Sequence, residues 1–146
     1  VQPRILEIEL SERGVLRSDP EILRQLHQIR ELGVRLAIDD FGTGYSSLVD
    51  LKQFPIDILK IDQSFVRGVA SSSEDAAITS ATIAMARQLG LRVVAEGVEV
   101  QEQLEFLQRH GCREYQGFLF SPAVPPEAFA ALLRGGLGAA AGGERS

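Results

Sequence analysis

The sequence predicts an α/β fold built on a parallel sheet. Short apolar runs ending in an acid, an amide or a lysine recur five times, a segment of helical periodicity follows each, and glycine or proline marks the joins. A crossover helix returns the chain to the same end of the sheet, so strands that alternate with helices lie parallel.

The first strand is residues 4–10, where apolar and charged positions alternate between Pro3 and Ser11. Glu7 and Glu9 share one of its faces, and Glu12 follows just beyond. Ser18-Asp19-Pro20 then opens a helix, with Ser18 or Asp19 as its cap, a proline in the first turn and Glu21 at the positive end of the dipole. Ile22, Leu23, Leu26, Ile29 and Leu32 form its expected buried stripe, and Gly33 stops it. His27 lies off that stripe and reads as a surface residue.

The second strand runs into Asp39-Asp40 and a Phe-Gly-Thr-Gly loop, followed by a short helical patch over residues 46–52 that Pro55 breaks. Two adjacent carboxylates at a strand end raise each other's pKa unless a cation intervenes, so the pair points to a metal. The third strand, residues 56–62, carries Lys60 near its end and Asp62 two positions later on the same face. Residues 70–75 open a helix whose expected packing face is Ile78, Ala81, Ile83, Ala84 and Leu89. The fourth strand, residues 91–99, ends in acids, and an amphipathic helix spans about residues 101–110, with His110 complementing its dipole. Residues 114–120 form the last strand, with Gln116 before a glycine, and Pro125-Pro126 starts a helix to about Leu133. Residues 1–134 are one domain portion, and the Gly/Ala-rich segment 135–146 is expected to be disordered.

The carboxyl ends of the five strands thus carry Glu9, the pair Asp39 and Asp40, Lys60, Glu96 and Gln116. In a TIM-like (β/α) barrel those ends meet at one mouth, whereas a doubly wound open sheet gathers only the ends near its switch point. Five units do not close a barrel of eight. Three amino-terminal strands lie outside this chain, or it assembles with another copy as a homodimer, or the sheet is open. The start Val1-Gln2-Pro3-Arg4, with neither an initiator Met nor a signal pattern, reads as internal and favours the first.

Composition narrows the partners. At 146 residues, 45% hydrophobic and without a long apolar run, the chain fits one soluble domain with its own core and no membrane segment. A net charge of −5 without Lys/Arg clusters argues against duplex nucleic acid, whose binding rests on phosphate neutralisation, but permits a small phosphate substrate held through metal ions. Cys112 is the only cysteine, which excludes an internal disulfide and a CxxC zinc site and suits a structural role.

Five motifs, in this order and spacing, resemble the EAL-domain cyclic di-GMP phosphodiesterases of bacteria: Glu9-Leu10-Ser11-Glu12, the run from Asp39-Asp40-Phe41-Gly42 to Leu48, Lys60-Ile61-Asp62 with Ser64-Phe65, Ala95-Glu96-Gly97-Val98-Glu99, and Gln116-Gly117. The resemblance covers about Ile5 to Leu133. It implies a TIM-like barrel of which this chain supplies the fourth to eighth strands. It also implies hydrolysis of cyclic di-GMP to a linear dinucleotide in the bacterial cytoplasm, with sensory or GGDEF-type domains as companions upstream. Glu9, Asp39 and Asp40 would be ligands of two Mg2+ or Mn2+ ions, which suits hard carboxylate oxygens. Lys60 would hold or activate the attacking water, and Glu96 would complete the metal and water site. Gln116 would face substrate, Glu12 would anchor the loop after Asp40, and Asp62 and Glu99 would support from behind. The Glu-Ala-Leu motif and the family's asparagine-bearing strand are absent, and Ser11 stands where threonine is usual. Losing those two ligands motivates an alternative: a truncated, inactive module that binds the dinucleotide or a protein.

Overall fold

The computed structural model describes residues 2–12, 20–44 and 48–135. After a 3-10 turn at Pro3–Ile5, the elements are β1 (Glu7–Ser11), α1 (Pro20–Glu31), β2 (Arg35–Phe41), α2 (Leu48–Gln53), β3 (Ile58–Ile61), α3 (Gln63–Gly68), α4 (Ser73–Gln88), β4 (Arg92–Ala95), α5 (Gln101–Arg109), β5 (Glu114–Tyr115) and α6 (Pro126–Gly135). The strands form one sheet in the order β1-β2-β3-β4-β5, and every pairing is parallel. A doubly wound sheet reverses its strand order at a switch point. This one does not, so the five units form an arc of a (β/α) barrel, open between β1 and β5.

Burial follows position in the arc. Leu36, Ala37, Ile38, Ile58, Leu59, Ile61 and Ala95 in the middle strands are buried, because helices cover one side and the barrel interior the other. At the flanks, Ile5, Leu6, Ile8, Ile22 and Leu32 on one side and Phe118, Phe129 and Leu133 on the other remain exposed. The expected stripe of α1 is therefore only partly covered: Leu26 is buried and Leu23 and Ile29 half-buried, whereas Ile22 and Leu32 face outward, since among the described residues no element lies beyond the edge helix.

Several expected elements change in extent. β1 starts later than expected, since Pro3 sets the preceding 3-10 turn. The fourth strand stops at Ala95, leaving residues 96–100 as a loop, and β5 has two residues rather than seven. The helix α3 was not anticipated; Asp62 leaves the strand face expected for it and caps this helix, accepting from the Ser64 N–H at 2.8 Å. In α4 the buried face is Thr79, Thr82, Ile83 and Ala86, while Ala81, Ala84 and Leu89 are exposed. Packing there selects the face that fits the sheet, and threonine methyls serve as well as alanine. The expected cap at Ser18 or Asp19, the start of the patch at residues 46–52 and the tail from 136 lie outside the described residues. Among the described residues, no helix is long and apolar enough to cross a membrane.

Candidate active site

Lys60 is the centre of the barrel mouth. It is the third residue of β3 and only 5% exposed, although a lysine near a strand end ordinarily reaches water. Its Nζ lies 2.6 Å from Glu9 Oε1 on β1, 2.7 Å from Glu96 Oε1 after β4 and 3.6 Å from Asp39 Oδ1 on β2. Gln116, just past β5, donates from Nε2 to the same Glu96 oxygen at 2.6 Å. Groups from all five strand ends thus meet around one ammonium. Burial alone would lower the Lys60 pKa, but the hydrogen bonds it donates to Glu9 and Glu96 and the charges of Glu96 and Asp39 outweigh it, so the amine is held protonated.

Adjacent residues of a strand face opposite sides of the sheet, which would separate Asp39 from Asp40. The backbone prevents this. Asp40 adopts φ 56°, a left-handed conformation that Asp tolerates better than most residues, and the pairing with β3 shifts register between Ile38 and Phe41. One carboxylate oxygen from each of Asp39, Asp40 and Glu96 consequently lies within 4.8 Å of the other two. Glu12, 2% exposed, holds the loop that follows, accepting N–H bonds from Gly42 at 3.2 Å and Gly44 at 2.8 Å.

The cluster carries more negative charge than Lys60 balances. Burial, then Asp39, then Asp62 raise the Asp40 carboxyl above the ordinary range. Burial raises Glu96, Lys60 opposes it, and Asp39 and Glu9 add to the rise. Raised carboxyls among like charges are the electrostatic signature of a place for a cation. The donors are oxygens only, and Cys112, the single thiol, is buried against the Val93 and Glu114 carbonyls. Such a set fits Mg2+, Mn2+ or Ca2+ better than zinc or copper. Glu9 does not join the three-carboxylate cluster; it lies on Lys60 instead.

The loop of residues 96–100 is laminated between two neighbours. Gly97, at φ +69°, sits so close to Gln63 that an added Cβ would meet its Cβ at 2.6 Å. Gly117 lies against Val98, where a Cβ would meet the Val98 carbonyl oxygen at 2.2 Å. The first approach seats the loop on α3 and the second on the chain after β5, and no signal in a single sequence marks a glycine as needed for close approach. Beside Gln116 a groove of about 790 Å³ opens, walled by Arg67, Glu99, Phe118, Phe120 and Phe129. Arg67 and Glu99 face each other across 3.8 Å, which places Glu99 in the groove wall rather than at the ammonium. The sequence reading missed Arg67 because α3 itself was not anticipated.

The family model for the EAL domain matches residues 1–123. The chain belongs to the EAL domain family. It is 47% identical over 129 residues to the cyclic di-GMP phosphodiesterase NbdA of Pseudomonas aeruginosa, covering 88% of this chain and 16% of NbdA. Among solved structures it resembles the PaMucR phosphodiesterase in complex with c-di-GMP, with a TM-score of 0.84, 46% identity, and coverage of 88% of this chain and 52% of that one. It also resembles the manganese and cyclic di-GMP complex of Klebsiella pneumoniae BlrP1, with a TM-score of 0.78, 40% identity, and coverage of 84% and 31%. The chain therefore spans about half of the PaMucR structure and a small part of NbdA.

Proposed function

We propose that this chain forms the carboxyl-terminal part of a metal-dependent phosphodiesterase that hydrolyses cyclic di-GMP to the linear dinucleotide. The observation that carries the reading is the buried Lys60 ammonium among Glu9, Asp39 and Glu96 at the barrel mouth, beside the Asp39, Asp40 and Glu96 cluster. Asp39, Asp40 and Glu96 would hold Mg2+ or Mn2+, with Glu9 available once it leaves Lys60. When bound, such ions acidify water and neutralise charge on phosphoryl oxygens, so no histidine base is required. His27 and His110 are both exposed and outside the mouth.

Lys60 would orient the attacking water and stabilise negative charge developing on the phosphate. Gln116 holds Glu96 and faces the groove, whose phenylalanine walls suit stacking of a guanine base and whose Arg67 and Glu99 suit its polar edge. Glu12 keeps the loop after Asp40 in place, and Asp62 lies against Asp40. The open side of the barrel favours a second reading for this chain taken alone: a module that binds the dinucleotide or a protein without hydrolysis.

Chromatography of the products decides between them. The full-length protein with Mg2+ or Mn2+ converts cyclic di-GMP to linear pGpG, and a chelator or Asp39→Asn stops it. Turnover that survives both treatments rules the metal mechanism out. Calorimetric binding by this chain without turnover by the full-length protein selects the module.

A further inference from the structure

The loop of residues 96–100 is attached in two different ways. Its first half is held by the main chain: Glu96 N–H donates to Ile61 O at 3.1 Å, Val98 N–H to Gln116 O at 3.1 Å, and Val98 O accepts from Leu119 N–H at 3.0 Å. In its second half both N–H groups are taken by one side chain. The Glu99 and Val100 N–H groups both donate to Gln103 Oε1, at 2.8 and 3.1 Å.

Val100 occupies the cap of α5, where a branched hydrocarbon cannot accept a hydrogen bond. Gln103, at the third helical position, reaches back in its place. The other end of the amide, Nε2, donates to the Arg67 carbonyl at 3.4 Å, so one group only 4% exposed joins the loop to α3. Arg67 and Glu99 are the two charged residues whose side chains wall the groove beside Gln116. Both are anchored at their backbone by the same amide.

We propose that Gln103 is a positioning residue for ligand binding: it sets the Glu99 carboxylate against Arg67 in the groove wall, while Glu96 and Lys60 are held independently of it. The kinetic part of this inference rests on the phosphodiesterase reading; the tether itself does not. The amide accepts from two N–H groups and donates to one carbonyl. Methionine matches its length, donates nothing and accepts only weakly through sulfur, whereas glutamate keeps the acceptor alone.

The test compares Gln103→Met and Gln103→Glu in the full-length protein. In the methionine variant the Glu99 and Val100 amides exchange with solvent at least about tenfold faster. KM for cyclic di-GMP rises about tenfold while kcat stays within about twofold. Gln103→Glu brings KM back to within about threefold of the parent, because a carboxylate at a helix start accepts the same two bonds. General destabilisation would instead reduce the active fraction and leave KM alone. An unchanged KM in the methionine variant, or a fall in kcat in its place, overturns the assignment. If the parent protein hydrolyses no cyclic di-GMP, the proposed function fails and amide exchange alone decides the tether: unchanged protection at residues 99 and 100 overturns it.

Discussion

At the amino end of the sheet two ion pairs are made one to one, while Arg35 donates to the Arg4 carbonyl. Arg30 donates from Nε and Nη2 to Asp57 Oδ1, at 3.1 and 2.9 Å, while Asp57 Oδ2 accepts from the Leu36 N–H at 3.1 Å. Arg92 at the start of β4 pairs with Glu114 at the start of β5. At the carboxyl end, Lys60 is shared among Glu9, Asp39 and Glu96, with Asp40 close by. The paired charges of the amino end tie helix to strand and strand to strand. The unbalanced end holds excess negative charge that a cation would neutralise, and a barrel concentrates its chemistry at that end.

Removing the shared ammonium should separate the two ends most clearly. Lys60→Met is expected to lower turnover of cyclic di-GMP by about a thousandfold or more, with the fold retained in the presence of Mg2+. Steady-state rates and circular dichroism measure the two halves of that statement, and a variant retaining a tenth of the activity would break the contrast.

The balanced end should respond in the opposite sense. Asp57→Ala leaves the Leu36 N–H and the Arg30 guanidinium without their acceptor, costing about 2 kcal/mol of stability in urea unfolding. The rate per folded molecule should stay within about twofold, since Asp57 lies at the far end of the strand from Lys60. A large loss of kcat with unchanged stability would show that the two ends are not separable.

The smallest effect concerns pH. Glu114 has its carboxyl lowered, by the Arg92 bond first, with burial opposing. Its contribution is present above the ordinary glutamate range and is lost as pH falls through the lowered value. Glu96 is raised, by burial first, so its ionised form opposes folding at neutral pH, and that opposition is relieved as pH falls through the raised value. Metal-free Glu96→Gln should therefore flatten a gain in stability between neutral and mildly acid pH, whereas Glu114→Gln should flatten a loss at lower pH. Identical pH profiles for the two variants would refute the contrast.

Much of the mouth was legible because strand ends in a parallel sheet converge. Glu9, Asp39, Lys60, Glu96 and Gln116 were all readable as polar groups closing apolar runs. What the pattern could not give was partner choice. Glu9 bonds Lys60 rather than joining the carboxylate cluster, Asp62 caps a helix, and the buried face of α4 includes two threonines that a hydropathy pattern passes over. Gln103 carried half a signal, an amide three residues after a helix start, but Val100 hid the other half.

The parallel α/β architecture, the strand ends that bear chemistry and the family motifs can be read from the chain directly, because these depend on local periodicity and on residue type. Tertiary structure alone decided that Asp39 and Asp40 act on one side of the sheet. Strand alternation would send them apart, and the left-handed turn at Asp40, with its shift of register against β3, brings them back to the same mouth. Backbone geometry of that kind is set by the pairing of neighbouring strands and by Glu12 gripping the loop beyond, contacts that span some thirty residues of chain.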